Sequence, residues 1–283
     1  MTNIKKTIIS TVFIFGLANM VFSQPLVQKH KIPLNGSDSI FCCLDDYMQE
    51  YFIRGFDIDS VGNYYLSCVD KTNQNYLYRF DSNMQFMQKK KLSINYLWVY
   101  IYEGDVLAIE KFTRFSNCLH YKERAIKVDS GILSSFLSSE EIIINAYCDK
   151  AKKNRYTIYS LPSLVKVGNG KNKYNLPSVF QEYLDDQDVE YKGNVNDIHV
   201  FCKLVLSDSL ILNYRIMLVS NSGELIASNL LRESDLFPDN LCTAMGCNIE
   251  MLRVLRNGKL YFLGADKKNK SIIVAEIKIT DML

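Results

Sequence analysis

The sequence contains few of the residue types from which catalytic and metal sites are usually built. Only three histidines, one tryptophan and five prolines occur in 283 residues. His30, His120 and His199 lie far apart, without the close pairing of a histidine metal motif. No G-x-S-x-G, H-E-x-x-H, P-loop or G-x-G-x-x-G motif occurs in a strand–turn–helix context. The usual sequence signals of hydrolases, metalloproteases and nucleotide-binding enzymes are therefore missing.

An excess of one charge sign is also missing. The chain has 33 Lys and Arg against 31 Asp and Glu, which gives a formal net charge of +2. Nucleic acid and anionic membranes are bound by a clear basic excess, so we expect neither as a partner. A composition of 48% hydrophobic and 23% charged residues is that of a chain that folds around a core.

The long apolar run of the sequence lies at its N-terminus. Residues 1–6 carry two lysines, residues 7–17 are apolar, and residues 21–23 read Val-Phe-Ser. This order is typical of a secretory signal peptide cleaved after Ser23. A membrane anchor is the alternative, but Asn19 interrupts the run before the roughly 20 residues that a span needs. We predict a signal peptide (1–23) and one exported domain (24–283), in the periplasm or at the cell surface of a Gram-negative bacterium, without stable membrane insertion.

Export permits disulfides, so the eight cysteines matter. Cys42 and Cys43 are adjacent and would point to opposite faces of a strand. Four others lie inside apolar, strand-like runs, where a free thiol acts as a small hydrophobic group: Cys68, Cys118, Cys148 and Cys202. Only Cys242 and Cys247 have the loop setting and short spacing of a local disulfide.

Short strands and an internal repeat dominate the rest of the chain. Runs of four to eight β-branched and aromatic residues, bounded by turn-forming residues, predict an all-β fold. Residues 62–71 (GNYYLSCVDK) and 258–267 (GKLYFLGADK) match at identical spacing, as a turn glycine, an apolar strand and an Asp-Lys turn. The same strand and turn recur before Glu110-Lys111 and Asp149-Lys150.

The spacing of these turns predicts the architecture. Positions 70, 110 and 149 lie 40 and 39 residues apart, and 266 follows after three further steps of 39. A period of roughly 40–50 residues is typical of one four-stranded blade of a β-propeller. The visible copies number five, whereas the period gives six. We predict a β-propeller of five to six four-stranded blades, six favoured, with residues 27–34 closing the last blade as an N-terminal strand.

Residues 55–66 (GFDIDSVGNYYL), followed by residues 76–83 (YLYRFDSN), carry a family resemblance. They resemble the blade signature of NHL-like six-bladed propellers of secreted bacterial proteins, in which a strand ends at a D-x-x-G-N turn. The resemblance is best over residues 55–93 and 250–283, although Met84 replaces the expected glycine. It implies a binding or scaffolding role, with calcium-dependent lactonases as a minority.

The acidic turn residues are candidate binding residues, because a propeller brings equivalent turns of all blades to one rim. Asp70, Glu110, Asp149 and Asp266 would form a face for a cation or an amine. The alternative, which we favour, is that each acid caps its turn while the following lysine keeps it soluble.

Two further segments are candidates for binding. Residues 96–102 (YLWVYIY) contain Trp98, whose ring would anchor a protein or glycan partner. Trp98, Tyr100 and Tyr102 share one face of a strand, and both faces are expected to be core if neighbouring blades cover them. The acidic run Asp185, Asp186, Asp188 and Glu190 offers oxygen ligands for calcium, and a solvated loop is the favoured alternative.

Two functions follow from these patterns. The favoured one is an exported, non-catalytic β-propeller, without a cofactor, that binds a protein or a glycan on one rim. The alternative is a calcium-dependent lactonase-type hydrolase with carboxylates at the channel mouth.

Overall fold

The computed structural model describes residues 27–33, 53–69, 72, 74–113, 116–129, 131–138, 140–148, 151–186, 188–206, 212–237, 253–266 and 271–283. Within these residues the chain forms five four-stranded antiparallel sheets, arranged in a ring. The predicted all-β class and propeller architecture are confirmed.

The five sheets are called blades 1 to 5. Blade 1 comprises β2 (Ile53–Ile58), β3 (Tyr64–Val69), β4 (Asn75–Phe80) and β5 (Phe86–Lys91). Blade 2 comprises β6 (Tyr96–Tyr102), β7 (Asp105–Thr113), β8 (Ser116–Tyr121) and β9 (Arg124–Val128). Blade 3 comprises β10 (Ile132–Leu137), β11 (Glu141–Cys148), β12 (Lys153–Ser160) and β13 (Lys166–Asn169). Blade 4 comprises β14 (Val189–Val195), β15 (Ile198–Leu206), β16 (Leu212–Ser220) and β17 (Leu225–Arg232). Blade 5 comprises β18 (Arg253–Arg256), β19 (Lys259–Asp266), β20 (Ser271–Lys278) and β1 (Gln28–Pro33).

The first strand of each blade lies innermost, around a central channel. β2 contacts both β6 and β18, and β18 also contacts β14. We call the end of the ring at which the inner strands begin the top, and the other end the bottom. Two-residue turns in left-handed backbone, such as Glu103-Gly104 and Asn257-Gly258, join first and second strands at the bottom. The top carries the connections from one blade to the next.

The hydrophobic core consists of five clusters, one between each pair of neighbouring blades. Between blades 5 and 1, for example, Leu66 and Tyr78 share a cluster with Leu263 and Val274. Between blades 4 and 5, Tyr214 meets Phe262 with ring centroids 5.2 Å apart. Each sheet thus buries both of its faces against its neighbours, which explains why its strands are apolar on both sides.

Blades 3 and 4 are separated by an additional segment, residues 170–186, which we call the wedge. It contains the short helical turns Ser178–Phe180 and Gln181–Leu184. Phe180 is 1% exposed and lies 4.3 Å from the His199 ring of blade 4 between centroids. Tyr183 stacks on Phe201 at 5.1 Å. The wedge therefore supplies much of the core at this interface.

The N-terminal strand closes blade 5. β1 pairs antiparallel with β20, from Gln28 opposite Glu276 to Pro33 opposite Ser271. The prediction that residues 27–34 would complete the last blade is confirmed. The pairing covers what would otherwise be an open edge next to the fully buried residues 272–277 of β20.

The prediction of six blades is wrong, because the described residues form five. The inner strands begin at Ile53, Tyr96, Ile132, Val189 and Arg253. The distance in sequence between the starts of successive inner strands is therefore near 40 residues for the first three blades and longer after blade 3. On the 40-residue period, residues 168–197 would be either part of a sixth blade or an insertion. They contain the end of β13, the wedge and β14, so the wedge is an insertion between two blades.

Several predictions fall partly or wholly outside the described residues. The signal peptide (1–23) and the Cys242–Cys247 disulfide lie there. Four cysteines are not in disulfides, as expected: Cys68, Cys118, Cys148 and Cys202. In the described ranges, no helix has both the length and the apolar character of a membrane span.

Candidate functional site

A cavity of about 460 Å³ occupies the central channel. All five inner strands line it, and β11 and the wedge add further side chains. The lining extends from Leu133, near the top of β10, to Arg256, beside the bottom turn Asn257-Gly258. The cavity volume lies within the roughly 300–1,000 Å³ that is typical of small-molecule sites. We therefore take this cavity as the candidate binding site.

Three rings form what we call the aromatic wall: Phe136, Tyr174 and Tyr191. The Phe136 and Tyr174 centroids lie 4.8 Å apart at 83°, and those of Tyr174 and Tyr191 lie 5.6 Å apart at 63°. These are the edge-to-face arrangements that aromatic rings prefer. The Tyr191 hydroxyl lies 3.1 Å from Nδ1 of His199, and burial raises the pKa of Tyr191 to about 12. The wall is therefore uncharged at neutral pH.

Both carboxylates that line the cavity have a cation beside them. Arg256 of blade 5 donates to Oδ2 of Asp57 in blade 1 over 3.0 Å. Burial raises the pKa of Asp57 and outweighs the opposing attraction of Arg256. Glu190 forms an ion pair with Lys192, two residues along the same face of β14. With Lys173, the lining therefore has three cationic side chains against these two carboxylates.

Uncharged polar groups line the blade 3 side of the cavity. Nδ2 of Asn145 donates to Oγ of Ser134 over 3.2 Å. Its Oδ1 is buried and accepts no hydrogen bond from any described residue. The Tyr100 hydroxyl and Oγ of Ser135 are hydrogen-bonded at 2.6 Å, and burial raises the pKa of Tyr100 to about 12. The amide oxygen of Asn145 therefore stands out as an acceptor without a donor.

Trp98 belongs to the cavity lining as well as to the core. Trp98, Tyr100 and Tyr102 pack in the cluster between blades 2 and 3, while Val99 and Ile101 face blade 1. This confirms the predicted alternation. Tyr96 departs from it and joins the Val99 side, because a register shift between Tyr96 and Trp98 inserts an extra residue. A direct binding role of Trp98 stays a prediction.

Glu110 does not lie in a turn, contrary to our expectation. β7 continues past it to Thr113, which pairs with Ser116, so Glu110 and Lys111 are strand residues. Oε1 of Glu110 accepts a hydrogen bond from Ser93 over 2.7 Å, and Oε2 lies 2.9 Å from Nε2 of His120. This cluster lies near the top of blade 2 and does not line the cavity.

The other three turn acids are only partly placed. Asp70 and Asp149 lie outside the described residues. Asp266 is the last residue of β19 and pairs with Ser271. Because second strands run opposite to inner strands, the end of β19 is at the top of blade 5. A shared binding role for the four acids, Asp70, Glu110, Asp149 and Asp266, stays a prediction.

The acidic run of residues 185–190 lies at the top of blade 4, where much of it is already engaged. Asp185 accepts from Nε2 of Gln181 over 2.6 Å, and Asp186 forms an ion pair with Lys203, which lowers the pKa of Asp186. The backbone N–H of Asp188 donates to Oδ1 of Asp186 over 3.0 Å. Among the described residues, no three His, Cys, Asp or Glu side chains gather as a metal site. Calcium binding by Asp185, Asp186, Asp188 and Glu190 stays a prediction.

Most residues of the cavity lining could not be predicted from the sequence. Asp57 and Arg256 are near in space but 199 residues apart in the chain, and neither has a distinctive local motif. Asn145 did leave a signal, because it is the single polar residue within the buried run of residues 142–146. A polar residue inside a buried strand needs a partner, and that rule identifies it.

Comparisons with known proteins give weak structural likenesses alone. No family model and no curated protein matches the sequence. The β-propeller domain of the Trilobed protease from Pyrococcus furiosus is similar in structure, with 10% identity, coverage of 77% of this chain and 80% of that chain, and a TM-score of 0.36. TolB from Acinetobacter baumannii has 7% identity, coverage of 80% of both chains and a TM-score of 0.33. At such low scores these likenesses say nothing about function, and the propeller assignment rests on the strand order described above.

Proposed function

We propose that this protein is an exported, non-catalytic β-propeller that binds a partner, a protein or a glycan, at the top of its central channel. The cavity formed by all five inner strands is the observation that supports this proposal. It combines an apolar aromatic wall with a small number of fixed polar groups, which is the usual make-up of a binding pocket. The NHL-like resemblance of residues 55–66 and 76–83 favours the same role.

The state of the polar lining favours binding over catalysis. Asp57 and Glu190 are each held by a cation. Ser134 and Ser135 are hydrogen-bonded to Asn145 and Tyr100, which are not bases that would activate a hydroxyl. The described lining therefore presents neither an activated nucleophile nor a free pair of carboxylates.

The top is favoured over the bottom because one of its connections, the wedge, adds side chains to the cavity, whereas the cavity residues at the bottom belong to the strands themselves. The wedge leaves β13 at the top and places Lys173 and Tyr174 in the lining. The bottom consists largely of short turns, whose residues are committed to the turn conformation.

Site-specific photo-crosslinking tests the proposal. A photoreactive amino acid replaces Asp188 at the top or Lys122 at the bottom, both of which are exposed. Each protein is then incubated with purified surface proteins and cell-wall glycans of the producing bacterium. We expect crosslinks from position 188 and few from position 122, whereas the reverse pattern would contradict the proposal.

The hydrolase alternative is tested by assaying the purified protein on lactone and ester panels with calcium and with a chelator. We expect no calcium-dependent turnover. Measurable turnover that the chelator abolishes would replace the binding proposal with the lactonase-type alternative.

A further inference from the structure

The outer strand of blade 4 has an open edge within the described residues. β17 pairs with β16 on one side, and its other side is the outer edge of the four-stranded sheet. An open edge presents backbone N–H and C=O groups that can pair with a strand of another chain. Each of the five blades has such an edge, and the five outer strands differ in how well they are protected against pairing.

Four of the five outer strands have features that discourage pairing at an edge. β5 ends in three lysines, β9 contains an arginine and a lysine, and β1 contains two lysines and ends in a proline. β13 is only four residues long and begins with a lysine. Lysines, prolines and short length are the means by which proteins protect sheet edges. In β17, by contrast, residues Leu225–Leu231 are uncharged and contain no proline, and the pairing with β16 is regular from Ala227 to Arg232.

β17 also exposes apolar side chains on one face. Ala227 and Leu231 pack in the cluster between blades 4 and 5. Ile226 and Leu230 each precede one of them and therefore point to the opposite face, where each is 48% exposed. The solvent face of a strand normally carries polar side chains. β17 therefore combines an open edge with an apolar face that a neighbouring strand would cover.

The two ends of β17 carry opposite charges, which indicates a second copy of this chain as the neighbour. Glu224 directly precedes the strand and Arg232 ends it, and both are exposed. Antiparallel pairing about a two-fold axis at Ser228 places Glu224 of each copy beside Arg232 of the other. The same pairing places Ile226 beside Leu230, and apolar and opposite-charge pairs across strands are stabilising. Parallel pairing would bring like charges together, so the strand is complementary to itself only in the antiparallel direction.

We propose that this protein forms a dimer in which the β17 strands of two copies pair antiparallel, so that the two copies of blade 4 become one eight-stranded sheet. Because each copy uses the same edge, the interface closes at two chains and leaves no β17 edge for a third. The inference goes beyond the proposed binding function and does not depend on it, because no residue of β17 lines the cavity.

Analytical ultracentrifugation of the purified protein across the micromolar concentration range provides the first test. We expect a single species of twice the monomer mass, whose fraction rises with concentration by mass action. A protein that sediments as a monomer throughout the range would overturn the inference.

Leu230→Lys should dissociate the dimer. It gives β17 the kind of side chain that protects the edge of β5, and it places a charge where the neighbouring strand would cover an apolar face. We expect the dimer to weaken about tenfold or more. Val167→Lys is the matched control, because Val167 is an exposed apolar residue on the outer strand β13, and it should leave the dimer unchanged. A Leu230→Lys protein that dimerises as tightly as the wild type would contradict the proposed interface.

A charge reversal tests the pairing direction and does not depend on Leu230. Arg232→Glu would bring carboxylates of the two copies together at both ends of the interface and should weaken the dimer about fivefold. Addition of Glu224→Arg to the same chain makes the charges opposite again and should restore the affinity. The two positions are about 26 Å apart along one strand, so they cannot contact each other within a copy. Recovery in the double variant therefore reports pairing between copies, and a double variant as weak as Arg232→Glu alone would overturn the antiparallel arrangement.

Discussion

Blades 5 and 1 meet directly, whereas blades 3 and 4 meet through the wedge. At the first interface β18 contacts β2, and Arg256 reaches across to Asp57. At the second, Phe180 and Leu176 of the wedge fill the cluster together with Phe201 and Val219 of blade 4. The first interface is thus built from strands of the repeat, and the second depends on a segment that has no counterpart in the other described connections.

The difference shows that the repeat encodes sheets but not everything that fills the space between them. The wedge also delivers Lys173 and Tyr174 to the cavity. The interface that departs most from the repeat is therefore the one that shapes the candidate site.

Removal of residues 24–33 should be the most damaging change. It deletes β1 and leaves the buried strand β20 with an open edge and several unpaired backbone groups. At about 1 kcal/mol for each lost hydrogen bond, the free energy of unfolding should fall by roughly 5 kcal/mol or more. Chemical denaturation and size-exclusion chromatography measure the loss and any aggregation. Removal of residues 24–26 alone retains β1 and is the control. If both proteins were equally stable, β1 would not close the ring.

Phe180→Ala should open the interface between blades 3 and 4. Phe180 is among the largest fully buried side chains, and its removal leaves a cavity that the surrounding strands cannot refill. We expect a loss of about 3–5 kcal/mol in the free energy of unfolding. Phe86→Ala is the matched control, because Phe86 is 44% exposed on β5 and should cost far less. Similar losses for both variants would show that the wedge does not stabilise the ring.

Gly223→Ala should displace the wedge without removing any of its atoms. Gly223 has φ +87°, and an added Cβ would lie 2.8 Å from the carbonyl oxygen of Val179. The strain and the clash together should cost about 1–3 kcal/mol. Gly168→Ala is the control, since an added Cβ there meets nothing within 4 Å. Differential scanning calorimetry compares the two, and an unchanged Tm for Gly223→Ala would mean that the contact is not tight in solution.

Asp57→Asn should change the pH dependence of stability at the interface between blades 5 and 1. Because burial raises the pKa of Asp57, the folded protein holds this proton more tightly than the unfolded chain does. The stabilisation is present below the unfolded pKa of 3.8 and is lost as pH rises through the folded value. The Tm of Asp57→Asn relative to the wild type should therefore increase from pH 4 to pH 7. If this difference in Tm stayed constant or decreased with pH, burial would not outweigh Arg256 in setting the pKa of Asp57.

Elements that share the repeat could be predicted from the sequence, and elements outside it could not. The alternation of residues 98–102 predicted the correct faces of β6, and the need to close the ring predicted that residues 27–34 pair with the last blade. The six-blade count was wrong because residues 170–186 have no strand periodicity, yet their length imitates part of a repeat. Such a segment folds only against surfaces that already exist, so its own pattern carries little information.

The candidate site was harder to predict than the fold, for a similar reason. The cavity takes two or more residues from each of five strands, and their proximity depends on ring closure rather than on local sequence. The repeated acids Asp70, Glu110, Asp149 and Asp266 attracted attention because they recur, whereas Asn145 and Arg256 occur once each. In a repeat protein, residues that recur in each copy belong to the shared scaffold. Residues that occur once distinguish the individual protein.

The pairing of β1 with β20 also dictates the order of folding. β1 is synthesised early, but its partner leaves the ribosome only when the described chain is nearly complete. Until then β1 cannot join blade 5 as its fourth strand, and the ring stays open. Contacts of such long sequence separation slow folding and keep strand edges open in the meantime. Closure therefore cannot begin before β20 has been synthesised, and until then the edge of blade 5 is open to mispairing.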